Sequence, residues 1–245
     1  MFAAHSVREG SFYQVIPHPV MMTSFGAAGL FVLFGLAMGF RKFWKQSGEP
    51  ANNDAAALLN PRVVGQALRE AFTLRYLDGG GPEGDGCAYP GDVPSNARRW
   101  FHHLTFYGFL LTFAATTVAA IYHNLLGVEA PYPFFSLPVM LGTAGGVGLL
   151  LGPAGLLWLK RARHRELSDP GQSALDVTFL ALLFLISLTG LLLLALRETA
   201  AMGSLLAAHL GLVLGLFLTM PYGKFVHGVY RFAALARNAA EKRRE

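Results

Sequence analysis

Apolar residues fall in five long runs, at 20–40, 101–122, 137–159, 174–196 and 203–231, separated by polar or basic stretches. A helix needs about 20 residues to cross a hydrocarbon core about 30 Å thick, and each run is long enough. Only internally hydrogen-bonded structure survives in lipid, so apolar runs of this length read as helices. The pattern predicts an all-α integral membrane bundle with five transmembrane helices. Residues 1–245 then form one membrane domain, with a loop at 41–100 and a tail at 232–245. The first run follows Pro17, His18 and Pro19 and ends in Arg41, Lys42, Phe43, Trp44 and Lys45, a basic and aromatic interface anchor. Inside the loop, residues 60–76 read as a short amphipathic helix with Val63, Val64, Leu68 and Phe72 on one side. The third run carries Gly142, Ala144, Gly145, Gly146, Gly148 and Gly152, small residues that permit close helix approach or leave room for a flat ligand. Pro153 is expected to kink it. The fifth run is expected to break near Pro221 and to continue as a basic amphipathic tail.

Composition agrees with this reading: 53% of residues are hydrophobic and 14% charged, and the mean hydropathy is +0.41. Charge then sets the orientation. Of the 20 Lys and Arg residues, all but Arg8 and Arg197 fall on one side of five crossings. Positive loops stay inside, so the N-terminus is expected outside and the C-terminus in the cytoplasm, across a bacterial-type inner membrane. The formal net charge of +5 therefore reflects topology and attraction to the lipid bilayer, and no nucleic-acid partner is expected. Cys87 is the single cysteine, which excludes an internal disulfide and any self-contained four-cysteine zinc or iron–sulfur site. Residues 1–19 carry Arg8 and Glu9 and lack an apolar core, so no cleavable signal is expected. The glycine-rich run at 79–86 lacks a Gly-Lys-Ser/Thr ending and a preceding strand, which excludes a phosphate-binding loop. Residues 80–95 are expected to dock or cover on the cytoplasmic surface.

Histidine placement carries the candidate chemistry. His209 and His227 lie eighteen residues apart in the fifth run. On one unbroken helix that is about five whole turns and about 27 Å, which puts one imidazole near each membrane surface on a shared face. The second run is antiparallel to it and offers His102 or His103 at the inner end and His123 at the outer end. Counted from His123, His102 is about 60° off whole turns and His103 about 160°, so the register favours His102. His18 is a rival outer position, whereas His5 and His164 read as solvated. Opposed pairs suit the two axial positions of haem iron better than zinc, which prefers four clustered ligands. Two b-type haems are expected, with metal ligands His102, His123, His209 and His227 and alternatives His103 and His18. Arg98, Arg99, Lys224 and Arg231 are the inner candidates for haem propionates, and Arg197 is the outer one.

The runs GGGPEGDGCAYP, RRWFHHLTFYGF, APYPFFSLPVMLGTAGG, GPAGLLWLK and LTMPYGKFVHGVYRF resemble the membrane portion of the tricarballylate/citrate-utilisation protein B family. His209 and His227 more distantly resemble paired ligands in the last span of the respiratory nitrate reductase gamma subunit. The resemblance implies an electron carrier that takes electrons from a partner flavoprotein dehydrogenase and delivers them to quinone in the membrane. Members of the first family normally begin with a ferredoxin-like segment bearing two cysteine-ligated clusters, followed by one further span. This chain shows neither, so it is expected to hold no iron–sulfur cluster and to read as a truncated member, a mis-started gene product or half of a split system. A separate ferredoxin-like chain is then an expected partner. Two other classes stay open at this point. One is a non-redox membrane anchor or assembly subunit; the other is a proton-conducting transporter with histidine, Asp176 and Glu198 as its relay.

Overall fold

A computed structural model describes residues 12–46, 60–74, 87–88, 94–162 and 170–242. The helices, in order, are α1 (Phe12–Val15), α2 (His18–Gln46), α3 (Pro61–Thr73), α4 (Ala97–Leu126), α5 (Leu137–Ala162), α6 (Pro170–Ala195), α7 (Met202–Thr219) and α8 (Val226–Glu241). Five of them, α2, α4, α5, α6 and α7, are long and apolar enough to cross a membrane. Among the described residues the architecture is all-helical apart from one two-residue antiparallel pair, Cys87–Ala88 against Pro94–Ser95, which the loop reading did not foresee. The glycine-rich run at 79–86, His5 and His164 lie outside the described residues.

Local chemistry sets several helix ends. Asn60 opens α3 by accepting the Arg62 amide at 3.0 Å, and Pro61 stands where a helix loses nothing by lacking an N–H. Gly127 closes α4 at φ 66°, the left-handed conformation that a residue without Cβ adopts freely, and its N–H returns to the Tyr122 carbonyl. Threonines inside the spans return their hydroxyls to the preceding turn, as Thr105 does to the Phe101 carbonyl at 2.9 Å. That removes an unsatisfied donor from an environment without water.

The closest packing runs along α4 and α5. A Cβ built on Gly108 would sit 2.8 Å from the Leu149 amide nitrogen, and one on Gly145 would sit 2.7 Å from that of Thr112. The small residues of the third run therefore serve backbone-to-backbone approach, which decides between the two uses the sequence left open. Ser187, itself buried, donates to the Gly146 carbonyl and joins α6 to α5. At the centre, Val32, Leu149, Leu183, Leu216 and Met220 bring α2, α5, α6 and α7 together. The outward face of α2 is apolar, with Leu30 70% and Phe34 67% exposed, a surface suited to lipid tails.

The fifth run departs from the continuous helix assumed when His209 and His227 were counted in one register. The spanning helix α7 stops at Thr219; a turn occupies residues 220–225, and α8 starts anew at Val226. Proline at 221 cannot supply an amide hydrogen, and the amides of Tyr222 and Gly223 both fold back on the Thr219 carbonyl, at 3.2 and 2.8 Å. Beyond the turn, α8 keeps contact with α2, where Tyr230 stacks on Phe43 at 5.1 Å, and packs on α3, with Val63 against Ala239 and Ala240, and Ala67 against Leu235 and Ala236.

Candidate functional site

At one end of the bundle the N-terminal turns of α4 and α8 bring two histidines together. The His102 and His227 ring centroids are 6.3 Å apart, with the planes at 83°. Phe225, in the turn, packs on Phe109 of α4 with centroids 5.3 Å apart and holds the chain against that helix. His227 Nδ1 hydrogen-bonds the Lys224 carbonyl. A carbonyl only accepts, so Nδ1 carries the proton and Nε2 keeps its lone pair. His102 Nδ1 is buried and has no hydrogen-bond partner among the described residues. The charges of Arg231 and Arg98 act on His102. His103 points elsewhere: its ring stacks on Tyr107 at 5.9 Å and meets Trp100 at 6.1 Å.

Beside this pair lies a charge cluster. Asp176, at the start of α6, holds Lys160 from the end of α5 at 2.7 Å and Lys224 from the turn at 3.0 Å. Lys224 therefore does two jobs, binding Asp176 through Nζ and His227 through its carbonyl. Arg99 reaches the Thr73 carbonyl at 3.4 Å, which ties α4 to α3.

At the other end, the ring contacts of His123 are with His18 at 4.2 Å and Tyr13 at 4.9 Å. Its Nδ1 is also buried without a partner among the described residues. Burial first, and then the charge of Glu129, holds the Tyr13 hydroxyl above its ordinary pKa, so it stays a neutral phenol. His209, the expected neighbour of His123, turns toward α6: its Nδ1 lies 3.1 Å from the Ile186 carbonyl and 3.1 Å from Thr189 Oγ1. Thr189 donates to the Leu185 carbonyl at 2.8 Å, so the His209 Nδ1 proton goes to Ile186 and Nε2 again keeps its lone pair. The ring fits there because position 190 is glycine; a Cβ would lie 3.0 Å from Cε1. Arg197, the outer cation, is engaged with the loop, donating to the Tyr132 carbonyl at 2.7 Å and lying over Phe134 at 3.8 Å.

Among the described residues no group of three or more His, Cys, Asp or Glu side chains could hold a metal ion, so the chemistry on offer is paired imidazoles. Those pairs have features an axial ligand needs. A histidine on a metal almost always gives its other ring proton to a carbonyl or carboxylate, as His209 and His227 do. His102 and His123 present buried ring nitrogens that have no hydrogen-bond partner among the described residues.

Comparison with known proteins adds the family. The citrate utilization protein B family matches residues 1–245. A curated Escherichia coli protein described as citrate utilization protein B is 50% identical over 240 residues. The chain belongs to the citrate utilization protein B family. It spans 61% of the length of that curated relative, which in turn covers 98% of this chain. No solved structure matches it.

In this member of the citrate utilization protein B family, sequence reasoning had overlooked three contributors: Tyr13, which packs on His18 and His123, and Ile186 and Thr189, which orient His209. Thr189 and Gly190, about two helical turns before the end of the fourth apolar run, were the signal for the last group. Asp176 had been weighed as a relay carboxylate, and the structure finds it clamped between lysines.

Proposed function

We propose that this chain is the membrane electron-transfer portion of a citrate utilization protein B, carrying two b-type haems in citrate or tricarballylate utilisation. The observation that carries the reading is the facing pair His102 and His227, one buried with an unsatisfied ring nitrogen and the other oriented through a backbone carbonyl. In the inner site His102 and His227 would hold one haem, with Arg98 and Arg231 as the cations for its propionates. In the outer site His123 and His209 are the pair, and His18 is the alternative partner of His123. A haem held by two histidines would supply single-electron exchange.

The chain's own residues then have limited tasks. The Lys224 and Ile186 carbonyls fix the rings of His227 and His209. Phe109 and Phe225, whose rings meet at 5.3 Å, would help to keep water from the inner site. Electrons would come from a partner flavoprotein dehydrogenase, by way of a ferredoxin-like segment of the longer relatives or a separate chain, and pass to quinone. The basic end, with Lys160, Lys224 and Arg231, faces the cytoplasm of a bacterial inner membrane in this reading. Asp176, held by two lysines, is poorly placed as a proton relay, which weighs against the transporter reading.

The test is a reduced-minus-oxidised spectrum of the purified chain with haem counted per polypeptide. Two b-type haems are expected, and a chain expressed with adequate haem supply that shows no such bands overturns the reading.

A further inference from the structure

Helix α3 carries two apolar stripes, one buried and the other partly open among the described residues. Val63, Ala67 and Glu70 are buried, the first two against α8. The neighbouring stripe, Leu68 and Phe72, is 41% and 42% exposed. Depth tells what covers it. The C-terminal end of α3 is tied to α4 well inside the spanning run: Tyr107 Oη donates to the Phe72 carbonyl at 2.8 Å, and the Phe72 and Phe106 rings meet edge to face at 5.7 Å. Tyr107 lies six residues, about 9 Å, past Phe101, where the apolar run of α4 begins. Phe72 is thus held at a level where the neighbouring surface of α4 faces lipid. That surface is continuous with the stripe and is itself aromatic and outward: Trp100 is 68% and Tyr107 42% exposed. Trp and Tyr collect where tails give way to headgroups, and an amphipathic helix there buries its apolar face about 5–10 Å into the boundary.

We propose that α3 is an interfacial helix whose Leu68 and Phe72 insert into the bilayer, so that this part of the 41–100 loop belongs to the membrane surface. Arg62 and Arg69, both exposed, flank the stripe and meet anionic headgroups. The same arrangement gives His103 a place in the aromatic boundary layer through its stack on Tyr107. The paired helix α8, which carries His227 in its first turn and packs on α3, is thereby held at the surface.

Nitroxide labels test this on the full chain, with Cys87→Ser as background, in vesicles of phosphatidylethanolamine and phosphatidylglycerol. Labels go on Leu68→Cys and Phe72→Cys, with Leu30→Cys as the lipid-facing reference and Lys242→Cys as the aqueous one. The expected result is that both α3 labels collide preferentially with oxygen over a water-soluble nickel chelate, as the Leu30 label does. Leu68 is a surface position, so its label reports even if the Phe72 variant misfolds. A preference for the chelate, as at Lys242, overturns the proposal. Shielding from both reagents also overturns it, because it would mean that another protein segment covers the stripe.

Discussion

Asp176 and Lys224 pair at 3.0 Å, and the carbonyl of that same Lys224 receives the Nδ1 proton of His227. A carboxylate on α6 therefore positions an imidazole on α8 through the turn that joins α7 to α8. Asp176→Asn should loosen the turn at 220–225 and let the His227 ring rotate. The side chain of Asp176 is 35% exposed, so solvent screening limits the loss of stability to about 1 kcal/mol or less. The expected readout is instead a displaced midpoint potential of the inner haem, with the outer one unmoved. Equal shifts at both haems would deny Asp176 this positioning role.

His102→Ala should remove the inner haem, whereas His103→Ala should leave two haems per chain, because His103 stacks on Tyr107 away from His227. Haem counting on the two purified variants checks this. Loss with His103→Ala and retention with His102→Ala would reverse the assignment.

At the outer end, His123→Ala should remove one haem, and His209→Ala should do the same. Low-temperature spectra that resolve the two centres provide the check. If His18→Ala abolishes the outer haem while His209→Ala keeps it, the ring contact between His18 and His123 marks the true pair.

Gly145→Val should destabilise the bundle, since even its Cβ would come within 2.7 Å of the Thr112 amide nitrogen. Overpacking of this kind costs about 1–3 kcal/mol. By contrast, Gly142→Ala should be nearly neutral, because its new Cβ would meet Ala115 at an ordinary 3.6 Å. Thermal unfolding in detergent, compared between the two, measures the difference; equal effects would contradict the seam geometry.

A reporter fused after Glu245 should be active only in the cytoplasm. Activity on the opposite side of the membrane would invert the proposed orientation.

Much of the architecture was legible in advance because it depends on local pattern. Apolar runs announced α2, α4, α5, α6 and α7, and the spacing of Val63, Val64, Leu68 and Phe72 announced α3. The preference for His102 over His103 as the residue facing His227 was also readable, since α4 is one helix from Ala97 to Leu126 and keeps its register throughout. The count from His209 to His227 failed for the complementary reason: a register carries no information across a turn, and Pro221 with Gly223 makes one. His227 still reaches His102, but by the way α8 is seated rather than by the helical repeat. The contact between His18 and His123 joins segments about a hundred residues apart, and no periodicity within either segment encodes it.

The glycine seam has a further consequence, one of measure. Backbone contact at Gly108 and Gly145 leaves no side-chain layer between α4 and α5 to slide or yield, so the two helices form a single beam. His102 and His123 are stations on that beam, twenty-one residues and about 31 Å apart. Relatives that vary the loops can change what docks at either station, while the distance between the two is set by the pitch of one helix.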